Sequence, residues 1–278
     1  MSLSLHVSAH PNNTLIVQPS SPPANGDLTF YLSELPDFTV HQIDERELPD
    51  RSLVKRGGSH QFKSCEDRFE QGNDALVKAL QDVESEEPYW EDLRQVDLHE
   101  QALTSLHLLD LFCDRAEVVD VAGNAIAQLN GVPSTTRSLN AARNCLTSLT
   151  NWGHLMNLQY LDVSGNDIDN LRGFSCLIHL RELRADNNRI EGLDGIHQLD
   201  GLLSLSLCGN RLRVVDFEHT GLKRLTHLDM AENEVTAIHN LQQLPELTIL
   251  NLDNNKLTEF PPDDLAIRPY SNLRTLKL

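Results

Sequence analysis

The sequence predicts an α/β solenoid of about nine units, each 20–26 residues long, with a parallel β-sheet along the concave face. A capping helix and a mostly disordered arm are expected before the first unit. Three observations predict this fold. Gln101, Asn124, Asn144, Asn166, Asn188, Asn210, Asn233 and Asn255 stand in register, separated by 23, 20, 22, 22, 22, 23 and 22 residues. Each sits within the pattern Leu-x-x-Leu-x-Leu-x-x-Asn-x-Leu, shown cleanly by Leu158-Leu161-Val163-Asn166-Ile168 and Leu247-Leu250-Leu252-Asn255-Leu257. Further apolar positions follow on the return path, as Leu193, Ile196 and Leu199 do after Asn188 and Ile190. A fixed period near 22 with this signature marks a leucine-rich-repeat solenoid, in which no unit buries its apolar face alone and stacking makes one continuous core.

The units begin at Leu93, Ala116, Thr136, Leu158, Leu180, Leu202, Leu225, Leu247 and Leu273, and that residue is position 1 of its unit. Positions 4 and 6 point inward from a short strand, and positions 11, 14, 17 and 20 fill the core on the return arc. The asparagine at position 9 stands where the chain leaves the strand. Its amide can donate to carbonyls and accept from an N–H that the tight coil would otherwise bury unpaired. Stacking should join these amides, with Gln101, into a structural ladder that has no catalytic role. The ninth unit reaches only Leu278, before its own asparagine. An uncapped end exposes apolar surface and a strand edge, so the solenoid is expected to continue beyond this chain or to be covered by a partner.

Residues 1–72 read as a largely disordered acidic arm. Residues 1–25 are rich in Ser, Pro and Asn and bury too little to offset their ordering entropy. A short motif at 26–45 carries two apolar runs, Leu28–Leu32 and Phe38–Val40, interrupted by Pro36. It reads either as a strand-like arm packed on the solenoid or as a linear motif that folds on a partner. Residues 73–92 read as the capping helix. Asn73 or Asp74 caps its start, Leu76, Val77, Leu80 and Val83 form its apolar face, and Glu86-Glu87-Pro88 ends it before Tyr89 and Trp90. The solenoid occupies 93–278.

Composition narrows the function. The net charge is −18, with 7 Lys+Arg against 17 Asp+Glu in residues 1–92 and 16 against 24 in the remainder. Such a chain repels nucleic-acid phosphates and anionic lipid, which leaves basic proteins or peptides as expected partners. No stretch has the ~18 apolar residues that span a membrane, so no membrane insertion is expected. The N-terminus lacks the features of a signal peptide. Five cysteines without a CxxC pair point to a reducing compartment, hence the cytosol. Nothing resembles HExxH, a phosphate-cradling glycine loop or GxSxG. No enzyme activity, cofactor or metal site is expected, and His154, His179, His197 and His239 read as exposed spacers.

Function in this architecture falls to positions 3, 5 and 7 of the concave sheet. The candidate protein-binding residues there are Asp97, Asp120, Tyr160, Asp162, Glu182, Arg184, His227 and Asp229. They read either as a solvated polar face or as an acidic surface, anchored by Tyr160, that receives a basic peptide or helix. Arg137, Arg143, Arg181 and Arg184 form a mixed central patch that can meet a carboxylate or a phosphorylated residue.

The 22-residue unit resembles the repeats of protein-phosphatase-1 regulatory subunits, which implies the alternative reading of a Ser/Thr phosphatase regulatory subunit. A closer resemblance runs through LSELPDFTVHQIDE (32–45), LVKALQDVE (76–84), EPYWEDLRQVDL (87–98), SLHLLDLFCDRAEVVDVAGN (105–124), NWGHLMNLQYLDVSGN (151–166) and HLRELRADNNRIEGLDGI (179–196). These blocks are similar to the C-terminal repeat region, with its preceding helix, of fungal septation-initiation and mitotic-exit network scaffolds, whose distant animal relative is centriolin. The resemblance implies a non-enzymatic scaffold at the spindle pole body, part of the cytoskeleton. Its implied partners are a spindle-pole-body anchor, a small GTPase with its GAP, and a kinase cascade. Those scaffolds are much longer, with many phosphosites in a long N-terminal region, whereas in this sequence a short arm precedes the motif.

Overall fold

The computed structural model describes residues 5–9, 15–19, 65–83, 89–258 and 272–278, with side chains from residue 74 onward. Residues 1–60 and 61–278 form separate compact units. In the first, strand β1 (Leu5–Ala9) pairs antiparallel with β2 (Leu15–Pro19), Val7 opposite Val17. LHVSA and LIVQP carry β-branched and aliphatic residues, which suit strands. The 26–45 motif lies outside the described residues.

In the second unit, helix α1 spans Cys65–Val83. It begins eight residues before the expected Asn73 start and ends before residue 92. Glu66, Arg68, Glu70 and Gln71 are good helix formers, so the helix propagates through Gly72 at a cost of about 1 kcal/mol. Leu76, Ala79 and Leu80 are buried in the same cluster as the solenoid core. Residues Trp90–Asp92 form a 3₁₀ turn, and Trp90 meets Phe112 edge-to-face at 5.8 Å.

The solenoid is built on nine three-residue parallel strands. They are β3 (Gln95–Asp97), β4 (Val118–Asp120), β5 (Ser138–Asn140), β6 (Tyr160–Asp162), β7 (Glu182–Arg184), β8 (Ser204–Ser206), β10 (His227–Asp229), β12 (Ile249–Asn251) and β13 (Thr275–Lys277). One sheet holds them in that order. β9 (Val214–Asp216) and β11 (Ala237–His239) form a small parallel sheet of their own on the return arc, where the sequence foretold no strand. Elsewhere among the described residues the return arcs are loops, the short helix α2 (Leu109–Phe112), and 3₁₀ turns at Arg172–Cys176 and Leu241–Gln243. Leu180, Leu183, Ala185, Ile190, Leu193, Ile196 and Leu199 are all buried, so every inward position of that unit behaves as the pattern requires.

Two backbone features make the coil tight. Position 8 has positive φ in eight successive units: Glu100, Gly123, Arg143, Gly165, Asn187, Gly209, Glu232 and Asn254. This left-handed residue turns the chain out of the strand; Gly and Asn suit it, while Glu100, Arg143 and Glu232 adopt it against their Cβ preference. At position 16, Gly131 and Gly195 lie so close to the previous turn that an added Cβ would sit 2.0 Å from the Leu106 carbonyl oxygen or 2.4 Å from that of Leu171.

Seven asparagines form the ladder. Asn188 is representative: its Nδ2 donates to the Ala185 carbonyl in its own unit (3.2 Å) and the Val163 carbonyl in the preceding one (3.0 Å). Its Oδ1 accepts the Ile168 N–H at 3.0 Å. The bonds repeat from Asn124 to Asn255, where Nδ2 reaches Met230 and Leu252 while Oδ1 holds the Val235 N–H. Gln101 departs from the expectation. Its Nε2 donates to the His99 carbonyl at 3.2 Å, the one bond its amide makes among the described residues. The Leu98 carbonyl therefore receives Asn124 Nδ2 from the next unit but no amide from its own.

Candidate protein-binding face

Strand pairing sets the concave rows in register, with Asp97 opposite Asp120, Asp120 opposite Asn140, Tyr160 opposite Glu182 and Asp162 opposite Arg184. His227 and Asp229 share β10, next to Ser204 and Ser206 of β8. Neighbouring strands stand ~4.8 Å apart, so each row is an uninterrupted line of side chains. Tyr160, Arg184 and His227 are exposed, while Asp162, Glu182 and Asp229 are half-buried. Val118, 39% exposed in the same row as Tyr160, is a second exposed apolar side chain on this face that was not singled out from sequence.

The fifth-position carboxylates have a backbone role that the pattern did not disclose. Oδ1 of Asp97, Asp120, Asp162 and Asp229 accepts the N–H two residues on, from His99, Ala122, Ser164 and Ala231, at 2.9–3.1 Å. Asn140 and Asn251 do the same, and their amides also donate to Asp120 and Asp229. Asx residues suit such local turns because the short side chain reaches its own backbone two residues ahead. Each carboxylate therefore closes the strand exit with one oxygen and offers the other to neighbours or solvent. His99 Nδ1 lies 2.6 Å from Asp97, and that hydrogen bond raises the imidazole pKa.

Sequence reading also missed Asp186 at position 7, where the signal was only the row's outward direction. Its carboxylate accepts the Ser206 hydroxyl at 2.6 Å and the Cys208 N–H at 2.8 Å. With Arg184, Ser206, His227, Asp229 and Asn251 it lines a shallow cavity of about 330 Å³. Burial pushes the Asp186 carboxyl above its ordinary pKa; the two hydrogen bonds oppose this, while Asp229 and Asp162 add to it. Burial likewise drives the nearby Cys208 thiol up to about 11, with Glu232, Asp186 and Asp229 contributing.

A raised folded-state pKa means that the native protein holds this proton more tightly than the unfolded chain. The stabilisation is present below the unfolded pKa and is lost as pH rises through the folded value. Asp186→Asn keeps the acceptor oxygen and removes the charge. It is expected to raise the melting temperature at pH 7, with the gain fading to nothing below about pH 4. A gain that does not change between pH 4 and pH 7 would exclude ionisation as its source.

The four arginines expected to form a central patch do not share one surface. Arg137 and Arg181 occupy position 2, Arg184 lies in the concave row, and Arg143 stands at position 8 with its guanidinium 3.3 Å from Glu100. Position 2 precedes the strand and position 8 follows the turn out of it, so the strand separates these groups. Of the expected spacer histidines, His179 and His239 are exposed, but His154 and His197 are half-buried, and His154 Nε2 lies 3.2 Å from the Leu129 carbonyl oxygen. Among the described residues no group of three His, Cys, Asp or Glu side chains is placed to hold a metal ion, and no helix is long and apolar enough to cross a membrane.

A stacked coil with an open, mainly acidic polar sheet defines the fold class, a leucine-rich-repeat solenoid. Residues 200–257 match the leucine-rich-repeat family model. Over 102 residues the chain is 43% identical to the septation initiation network scaffold protein cdc11 of Schizosaccharomyces pombe. That match covers 37% of this chain and 10% of the relative, so the chain spans a small part of the relative's length. Solved structures with the same coil include the TLR13–ssRNA13 complex (TM-score 0.56, 22% identity, 63% of this chain and 26% of that one). A leucine-rich-repeat protein of Leptospira interrogans follows (0.55, 24%, 68% and 56%), as does an internalin of Listeria monocytogenes (0.52, 16%, 73% and 68%). At these identities the likeness is one of fold alone.

Proposed function

We propose that this protein is a non-enzymatic, cytoplasmic scaffold of a septation-initiation or mitotic-exit signalling network, gathering protein partners at the spindle pole body. The observation that carries the proposal is the 43% identity over 102 residues to a protein named as a scaffold of that network. The blocks before Leu93 that resemble the same family, LSELPDFTVHQIDE and LVKALQDVE, support it, because repeats alone do not separate scaffold families. The phosphatase-subunit alternative rests on repeat length only. In this reading a basic segment of a partner lies along Asp97, Asp120, Asp162 and Asp229, with Tyr160, Glu182, Arg184 and His227 setting its register. The partner classes are those the resemblance implies: a spindle-pole-body anchor, GTPase and GAP components, and kinases. Helix α1 caps the N-terminal end, since Leu76 and Leu80 are buried with the core.

Proximity labelling with the tagged full-length protein in dividing cells is expected to enrich spindle-pole components over a cytosolic control. Absence of those components from the labelled set would sink the scaffold reading.

A further inference from the structure

Although the chain is acidic overall, one flank of the solenoid is basic. Positions 0 and 2, at the entry to the strands and away from the concave acidic row, place Arg94, Arg115, Arg137, Thr135, Gln159 and His179 along an open groove of about 600 Å³. Two carboxylates face these groups. Glu117, a lining residue, lies 2.5 Å from Arg94 and 3.6 Å from Arg137, while Asp92 lies 2.6 Å from Arg115. Arg181 follows Gln159 in the position-2 row, its N–H bonded to the Gln159 carbonyl, and its guanidinium has no ion pair among the described residues. Three guanidiniums therefore line the groove against two carboxylates, and Arg181 adds a fourth cation next to Gln159. The Arg94, Arg115 and Arg137 side chains are 72%, 65% and 60% exposed, which leaves most of their N–H donors facing solvent.

We propose that this groove binds a phosphorylated serine or threonine in a protein segment. Glu117 already supplies a singly charged carboxylate to Arg94 and Arg137, so an acidic side chain would only substitute for it. A phosphate near neutral pH carries up to two charges and three acceptor oxygens, and can engage the guanidiniums bidentately without displacing Glu117 from both. Thr135, Asn157 and Gln159 add neutral polar groups beside the arginines. Met156 and Ile178, 55% and 56% exposed, precede Asn157 and His179 at equivalent places on adjacent turns. Exposed apolar side chains one residue from the groove's lining suit a peptide side chain next to the phosphoresidue and have no use for free phosphate.

The test is fluorescence anisotropy of the full chain with a degenerate peptide library carrying a central phosphoserine. The same library with serine or aspartate at the centre, and poly(U) as competitor, complete the set. The phosphoserine library is expected to bind at least about tenfold more tightly than the other two, and Arg94→Gln with Arg137→Gln is expected to abolish that difference. Arg172→Gln with Arg213→Gln, which removes two arginines paired with Asp194 and Glu234, should preserve it. Asp97→Asn with Asp120→Asn should also preserve it, so failure of the concave-face reading would leave this result intact. Equal binding of the three libraries, retention of preference by the Arg94/Arg137 variant, or stronger competition by poly(U) than by phosphopeptide would overturn the proposal.

Discussion

Asn188→Leu is expected to lower the unfolding free energy by about 2–4 kcal/mol, and the melting temperature by roughly 4–16 °C. The two side chains are of similar size, so the loss comes from hydrogen bonds and not from a cavity. The pattern of sharing decides how large it is. The Val163 carbonyl keeps a bond from Asn166 Nδ2, the Ala185 carbonyl keeps one from Asn210 Nδ2, and the Asp186 carbonyl keeps the Gly165 N–H. The Ile168 N–H has only Asn188 Oδ1 among the described residues, and Ile168 is 1% exposed. One buried donor is thus orphaned outright while three acceptors lose one of two partners. Because each position-6 carbonyl from Val121 to Met230 receives amides from two units, the ladder couples neighbours, and the damage should spread to the adjoining turns. Gln101→Ala in the same thermal series is expected to cost well under 1 kcal/mol, since it removes one half-exposed bond. Equal losses from the two substitutions would refute the difference in role between Gln101 and the seven asparagines.

The period carried much of this fold in plain view. A residue type repeated every 22 positions reports its own environment many times over, so the inward leucines, the asparagine ladder and the register of Asp97 with Asp120 follow from the pattern. What escaped is what does not recur as a residue type. Position 8 is Glu, Gly, Arg or Asn, yet its backbone is left-handed throughout, because the turn geometry is common to the units and the side chain is not. The acceptor role of Asp97, Asp120 and Asp162 was hidden because an exposed carboxylate and a turn-closing one look alike in sequence. Asp186 drew no notice because its burial depends on Ser206 and Cys208 of the next turn. The arginine groove assembles positions from successive units that lie about 20 residues apart in the chain, while the sequence patch that mixed Arg143 and Arg184 with Arg137 joined groups that the coil separates. Helix α1 began early for a simpler reason: Gly72-Asn73-Asp74 reads as a boundary, but one glycine is a small cost inside a helix docked on a core.

Neutralising the concave row by Asp97→Asn, Asp120→Asn and Asp162→Asn is expected to weaken binding of a basic partner by about 10- to 100-fold. Exposed charge pairs contribute roughly 0.2–1 kcal/mol each, and three of them together reach that range. Asparagine is the informative replacement. It keeps the oxygen that accepts the His99, Ala122 and Ser164 N–H groups, so the strand exits stay closed and the melting temperature should change little. Reversal to lysine would confound the measurement, because it removes those acceptors at about 0.5–1.5 kcal/mol for each bond as well as changing the charge. Anisotropy of a labelled arginine-rich peptide, measured on the parent and the asparagine triple at low and high salt, separates the contributions. Long-range attraction fades as the screening length falls, so the gap between the two proteins should narrow at high salt. A triple variant that binds the peptide as tightly as the parent at low salt would show that the acidic row serves the turns alone, and would move the search for the partner surface to the flank that carries Arg94, Arg115 and Arg137.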